Sequence, residues 1–585
     1  MQKLSGPDRK SDDMDSHPSV PKQVNFTWGV KIPMRDGVQL NATLYKPLDH
    51  NRAPAIFTLT PYVADNYHAR GIYFASHGYG FAAVDSRGRG NSEGIFEPFA
   101  SEARDGYDIV EWLAQQPWCD GQVAMWGGSY GGYDQWLTLR EAPPHLKTIV
   151  PVASAHAGVD FPFVANIFSS FEIQWLTYTS GVTRNEGIMD DSSFWIGKFQ
   201  EMYQNHLPFK ELDRIVGNRS TFFQTWVEHA HSDEYWDGMT LTPEQYDQIN
   251  IPILTITGHY DDDQPGAMEY YRRHMRSDCK MKDAHYLIIG PWDHAGTRTP
   301  KPEVGGLKFS DASLLDMNQL HKEWYDWTMK DGKKPVFLKK RVAYYVMGQE
   351  KWKYANSLEE IPARTQKMYL SSENGARDVF LSGSLERNKP QRCPSDTFTY
   401  DPLDTRTGDL ETSEFREYLT DQTHDLNLFG NGLVYHSAPF ARDTEITGWV
   451  KLYAWMELDV PDTDFLVSVK EVLPDGNVIR LTQDWLRARY RESVRVERLV
   501  TAGEINLYTF DGFTFFSRQI TKGSRLRLVI SCPNSIYLEK NYNHGGVVAE
   551  ESGRDAQIAH VILYHDADHP SHLELPIVRR GRSRI

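Results

Sequence analysis

The sequence predicts an α/β chain: a mostly parallel sheet covered by helices, interrupted by a helical cap and followed by a β-sandwich of jelly-roll type. Three observations predict it. Short apolar runs (Ala55–Leu59, Gly80–Val84, Gln122–Trp126 and Thr148–Ala153) alternate with amphipathic stretches, as in a parallel sheet buried on both faces. That rhythm stops between residues 154 and 250, then returns with Ile251–Thr257 and His285–Ile289. Past about residue 365, helix signals give way to alternating segments and turns such as Pro474-Asp475-Gly476 and Asp511-Gly512, which indicates a sandwich.

Taken in order, residues 1–23 are polar and charged, with no apolar stretch of a secretory signal, and read as a disordered leader. Val24, Phe26, Trp28, Val30 and Ile32 alternate with mostly polar residues, as do Val38, Leu40, Ala42 and Leu44, and Arg35-Asp36-Gly37 supplies a hairpin turn between them. One amphipathic stretch places Ala103, Tyr107, Val110 and Ala114 on a single face before Pro117 stops it. The catalytic part is expected over residues 24–153 and 251–365, the cap over 154–250 and the sandwich over 366–585. A second helix carries Leu314, Leu320, Trp324 and Trp327, and a strand is expected at Arg341–Met347.

Bulk properties exclude some roles. A formal charge of −16 argues against a nucleic-acid partner, because phosphate binding needs a basic face. No run is long enough to span a bilayer, so the expectation is a cytoplasmic protein with no membrane partner. Cys119, Cys279, Cys393 and Cys532 are scattered without a Cys-x-x-Cys pair, signalling neither a zinc site nor a disulfide framework.

The pattern Gly-x-Ser-x-Gly occurs twice, and context separates the two. Gly127-Gly128-Ser129-Tyr130-Gly131 joins the apolar run Gln122–Trp126 to the helix-like Tyr133–Glu141, the strand–turn–helix setting of a nucleophile elbow in an α/β-hydrolase fold. Gly90-Asn91-Ser92-Glu93-Gly94 lacks that setting, and Ser92 reads as a structural loop serine. A serine nucleophile needs a base and an acid that fixes its tautomer, in the chain order Ser, Asp/Glu, His. Two later strands end in Gly258-His259-Tyr260-Asp261-Asp262-Asp263 and Gly290-Pro291-Trp292-Asp293-His294. His294 is then the base. Asp261, the first of three consecutive aspartates, is the preferred acid, and Asp293 is too close in sequence to orient that ring. The N–H of Tyr130 supplies one oxyanion donor by elbow geometry. Tyr62, in Leu59-Thr60-Pro61-Tyr62, is either a second donor or a packed aromatic on the residues alone.

Together these motifs, with Asp85-Ser86-Arg87-Gly88-Arg89-Gly90, resemble the cocaine esterase and X-prolyl dipeptidyl-peptidase family. The stretches Pro461-Asp462-Thr463-Asp464-Phe465 and Leu486-Arg487-Ala488-Arg489-Tyr490 look like that family's jelly roll. The resemblance implies Ser129, Asp261 and His294 as the triad and Tyr62 as the side-chain oxyanion donor. In α-amino-acid ester hydrolases of the family, carboxylates two and three residues after the triad acid help to hold a substrate ammonium. Those positions are Asp263 and Gln264, and Asp160 is a candidate third member, so half of that pattern is present. The expected activity is hydrolysis of small carboxylic esters or amides, with no cofactor or metal. The alternatives are an α-amino-acid ester hydrolase or β-lactam acylase, an X-prolyl dipeptidyl-peptidase-like peptidase, and a carbohydrate-binding module with an inert hydrolase domain. The sequence leaves a homo-oligomer open.

Overall fold

A computed structural model describes residues 21–48, 52–391, 394–411 and 417–579; the leader up to residue 20 and Cys393 lie outside them. The chain opens with the hairpin β1 (Val24–Pro33) and β2 (Gln39–Pro47), whose register shifts between Thr27 and Val30, beside Gly29 at φ +74°. There follow β3 (Ala53–Thr60), α1 (His68–Ser76), β4 (Gly80–Asp85), α2 (Glu102–Ala114), β5 (Cys119–Gly128), α3 (Tyr130–Arg140) and β6 (Leu146–Val152).

Between β6 and β9 (Ile253–Tyr260) the chain leaves the sheet. This excursion holds a two-residue hairpin, β7 (Phe163–Val164) with β8 (Ile167–Phe168), which the helical expectation did not include. Its helices are α4 (Phe171–Tyr178), α5 (Glu186–Met189), α6 (Ser192–Gln204), α7 (Leu212–Val216), α8 (Thr221–Glu228), α9 (Glu234–Asp237) and α10 (Pro243–Asp247). The chain then runs through α11 (Gln264–Arg276), β10 (His285–Asp293), the small hairpin β11 (Glu303–Val304) and β12 (Leu307–Lys308), α12 (Met317–Met329), β13 (Val342–Val346) and β14 (Lys351–Ala355). Leu314 precedes α12 rather than belonging to it.

The first sheet has ten strands in the order β1-β2-β4-β3-β5-β6-β9-β10-β13-β14. From β4 to β13 every pairing is parallel. Both faces are buried, as parallel strands require. Along β5, Val123 and Met125 join α2 and α3 in one core, while Ala124 and Trp126 join α1 and α12 in the other. This period-2 division explains why the strand reads as a continuous apolar run. Active-site loops collect at the C-terminal ends of such strands.

The second sheet has thirteen strands, from Ala363–Ser371 to His572–Val578, wrapped about a separate apolar core. Strand Lys451–Leu458 alternates half-buried and buried residues along its length, the signature of a strand with one face on a core. Gln264 ties the two sheets together near the site. Its amide donates to the carbonyls of Gly258 and Phe515, at 2.8 and 2.9 Å, and accepts from Phe515 N–H at 2.6 Å. Among the described residues Cys119, Cys279 and Cys532 are free and buried, and no helix is long and apolar enough to cross a membrane.

Candidate active site

Ser129 occupies the turn between β5 and α3 with φ +60° and ψ −124°, a conformation that costs a non-glycine residue energy and persists only where its surroundings impose it. Those surroundings are backbone. Ser129 N–H donates to Val152 C=O at 2.9 Å, and its own C=O accepts from Gly132 and Tyr133. The neighbouring glycines allow the close pass: a Cβ on Gly127 would lie 2.5 Å from Gly131 O, and one on Gly132 would lie 2.4 Å from Ser154 Oγ. Ser92, by contrast, is buried, donates to Asp85 C=O and accepts from Asn41 N–H, both at 2.7 Å. It is a loop clamp.

His294 follows β10 and Asp261 follows β9, strands that pair side by side. His294 Nδ1 lies 2.8 Å from Asp261 Oδ1. A carboxylate acceptor there fixes the ring proton on Nδ1 and leaves Nε2 free to take a proton. Asp261 is buried, and Thr257 Oγ1 donates to its other oxygen at 2.8 Å. Burial opposes protonation of His294 and so does Arg298, but Asp263 and the bond to Asp261 outweigh them and raise its pKa above the ordinary 6.5. Asp293 instead accepts from Gly296 N–H at 2.7 Å and turns the loop.

Tyr62 lies just past β3. Its hydroxyl accepts from Trp175 Nε1 at 3.1 Å and lies within electrostatic reach of the Ser129 side chain. Burial pushes the phenol pKa well up, so it stays a neutral O–H donor. Tyr130 is the first residue of α3, where a helix leaves N–H groups without internal acceptors. Its side chain is anchored below: the hydroxyl donates to Glu102 at 2.6 Å and accepts from Phe99 N–H at 2.7 Å.

Ser129, Tyr62, Tyr130, Asp261 and His294 line one cavity of about 780 Å³, within the size range of small-molecule sites. Phe99, Phe161 and Trp175 form an aromatic wall, with Phe161 and Trp175 crossing at 5.3 Å between centroids. Phe163 and Phe168 pack elsewhere in the core. Arg480, Trp485 and Thr514 of the sandwich complete the rim.

Asp160 and Asp263 also line the cavity. Asp160 accepts from the backbone N–H of His156 and Gly266, at 2.8 and 2.6 Å. Burial still raises its pKa to about 8, with Asp261 adding to the effect. Burial likewise raises Asp263, with Asp160 and Asp261 pushing further and His294 opposing. Gln264 is not a cavity group; it is consumed in the clamp on Phe515. The cavity also holds Asp262, whose pKa burial raises, and Glu172 of α4, which sequence reasoning missed. Glu172 is 3% exposed, its Oε2 has no partner, and burial together with Asp263 and Asp160 holds its pKa well above the usual range. The signal was an acid inside the apolar run Phe171-Glu172-Ile173-Gln174-Trp175-Leu176. Among the described residues no group of side chains suited to holding a metal is found.

Comparison with known proteins agrees with this architecture. Residues 36–296 match the family described as X-Pro dipeptidyl-peptidase (S15 family), and residues 337–574 match the X-Pro dipeptidyl-peptidase C-terminal non-catalytic domain. The chain is 26% identical over 583 residues to a cocaine esterase of Rhodococcus sp. (strain MB1 Bresler), covering 94% of this chain and 98% of that one. It is 26% identical over 528 residues to a putative serine esterase of Mycobacterium bovis, covering 79% and 80%. Two solved structures share the fold. An aminopeptidase from a marine sediment Thaumarchaeota archaeon has a TM-score of 0.82 at 21% identity, with 97% of this chain and 100% of that one covered. An α-amino acid ester hydrolase has a TM-score of 0.81 at 20% identity, with 98% and 100% covered. The elbow, the two-sheet architecture and both matched stretches make this chain a member of the cocaine esterase and X-Pro dipeptidyl-peptidase (S15) family of serine hydrolases.

Proposed function

We propose that the protein hydrolyses carboxylic esters or amides of small acyl groups through an acyl-enzyme on Ser129. In this reading residues 24–153 and 251–365 carry the catalysis, while the cap over 154–250 and the jelly roll over 366–585 wall the acyl pocket. Ser129 Oγ attacks the carbonyl carbon as His294 Nε2 takes its proton. Asp261 steadies the imidazolium, and the Tyr62 hydroxyl and Tyr130 N–H receive the oxyanion. The bond to the leaving oxygen or nitrogen then breaks as His294 returns the proton to it. Water repeats the sequence to free the acid and Ser129. The observation that carries this reading is the 2.8 Å bond from His294 to buried Asp261, behind a ring that opens on the cavity holding Ser129. A fluorophosphonate should label the wild type at Ser129, and Ser129→Ala should lose both labelling and turnover while its circular dichroism is unchanged. Labelling that survives in Ser129→Ala refutes the assignment.

A second reading, α-amino acyl substrates, is favoured by Glu172. Asp160, Glu172 and Asp263 hold raised pKa values although His294 Nδ1 lies 3.7 Å from Asp263 Oδ2, and among the described residues no lysine or arginine pairs with any of the three. A substrate ammonium would relieve both burial and mutual repulsion. The solved α-amino acid ester hydrolase and aminopeptidase of the same fold make this a natural extension of the first reading.

A further inference from the structure

The cavity holds an unpaired charge of the opposite sign as well. Arg298 lies in the turn after β10, four residues past His294, and lines the cavity beside Gly128. A Cβ on Gly128 would lie 2.7 Å from its Nη1, so the guanidinium sits against the residue preceding the nucleophile. Nη1 is buried and meets no acceptor. Among the described residues no carboxylate pairs with Arg298, although Asp160, Glu172, Asp262 and Asp263, whose pKa values burial raises, line the same cavity. A buried N–H without an acceptor and a cation without a counterion are both costly, and planar guanidinium is suited to receiving a carboxylate through two parallel bonds.

The position indicates which half of a substrate would bring that carboxylate. The acidic side chains are interleaved with the aromatic wall: Asp160 precedes Phe161, and Glu172 lies one turn before Trp175. That wall suits an acyl group. Arg298 lies against Gly128, near Tyr67 and within electrostatic reach of His294, in the loop whose histidine would hand a proton to the leaving group. We infer that Arg298 forms an anion subsite for a carboxylate on the leaving-group half of the substrate, so that the protein prefers esters or amides whose departing alcohol or amine bears a carboxylate. This rests on the proposed orientation of catalysis about Ser129. With the acidic cluster in the same cavity, aminoacyl-amino acids would satisfy both charges at once.

The test compares 4-acetoxybenzoate with its methyl ester. The ratio of their kcat/KM values in the wild type, divided by the same ratio in Arg298→Gln, isolates recognition of the carboxylate. Any effect of the substitution on the triad cancels. That quotient should be about tenfold or more, as for a charge-assisted bond, with the change carried by KM, and Arg298→Lys should recover part of it. A quotient within twofold of one overturns the subsite. If neither ester is turned over, the fault lies with the catalytic reading, and binding decides instead. Titration calorimetry of 4-acetamidobenzoate and its methyl ester into Ser129→Ala, with and without Arg298→Gln, should give a preference for the acid that Arg298→Gln removes. Equal preference in both proteins overturns the proposal without any turnover.

Discussion

The indole N–H of Trp175 donates to the Tyr62 hydroxyl across 3.1 Å, and both side chains line the cavity that holds Ser129. An indole nitrogen can only donate. It therefore occupies a lone pair of the phenol oxygen and leaves the O–H free to donate, in the proposed mechanism to the oxyanion. A residue of α4 thus holds the hydroxyl of a residue just past β3, which in the proposed mechanism links the packing of α4 to chemistry.

Tyr62→Phe should lower kcat about 10²–10³-fold, the usual cost of one oxyanion donor, with little change in KM. Trp175→Phe keeps the aromatic wall and removes only the orienting bond, so a loss of about tenfold is expected. Steady-state kinetics on p-nitrophenyl acetate separate the two. A Tyr62→Phe enzyme within threefold of wild type would remove Tyr62 from the mechanism.

The pH profile follows from the His294 environment. In the proposed mechanism the ring must be neutral to accept the serine proton, so activity is expected above its pKa and should be lost as pH falls through it. That pKa is raised above 6.5, burial and Arg298 opposing and Asp263 and Asp261 prevailing. The acid limb of kcat/KM should accordingly lie above 6.5. Asp263→Asn removes a raising neighbour and should move the limb to lower pH, whereas Arg298→Gln removes a lowering one and should move it up. Profiles from pH 5 to 9 with a saturable neutral ester check both signs, and shifts in the same direction would contradict this arrangement.

Amine recognition has its own test. Glu172→Gln keeps the shape of α4 and removes a charge that touches neither Ser129 nor His294. For alanine p-nitrophenyl ester against p-nitrophenyl propionate, KM for the amino substrate should rise about tenfold while the propionate changes little. Asp263→Asn should act in the same sense. An unchanged ratio in both variants would leave the three carboxyls without an ammonium to hold.

Legibility in the sequence divides along physical lines. That Ser129, Asp261 and His294 meet at one cavity could be read because each lies just past an apolar strand, and a parallel sheet brings its strand ends together whatever the intervening length. The aspartate choice was also readable, since Asp293 neighbours His294 too closely to reach round the ring; it turns the loop instead. Tyr62 needed family resemblance, because a tyrosine after a strand is as often packed as functional. Arg298 was not readable, and the one signal for Glu172 was an acid inside an apolar run. Glu172 reaches the cavity because α4 folds over the sheet, and Arg298 meets Gly128 across 170 positions of chain. Neither approach has a periodicity to announce it. The hairpin Phe163–Val164 with Ile167–Phe168 was missed for a related reason: two-residue strands carry too few residues for alternation to register.

The elbow's glycines give a stability prediction that is independent of any substrate. Gly131 and Gly132 are adjacent in the first turn of α3, yet their surroundings differ. A Cβ on Gly131 meets only ordinary contacts, the nearest being Leu59 O at 3.5 Å. One on Gly132 would lie 2.4 Å from Ser154 Oγ, 3.0 Å from Ser154 Cα and 3.1 Å from Val152 O. The side-chain oxygen can rotate away, but the two backbone atoms belong to the end of β6 and the residues just after it, and can yield only by moving the helix off the sheet. Gly131→Ala should therefore be neutral or stabilise the fold by up to about 1 kcal/mol, through helix propensity and the reduced freedom of the unfolded chain. Gly132→Ala should cost about 1–3 kcal/mol, as overpacking does. Urea denaturation followed by tryptophan fluorescence measures both. If the two variants unfold at the same urea concentration, the close pass of α3 over the end of β6 is not what sets this pair of glycines apart.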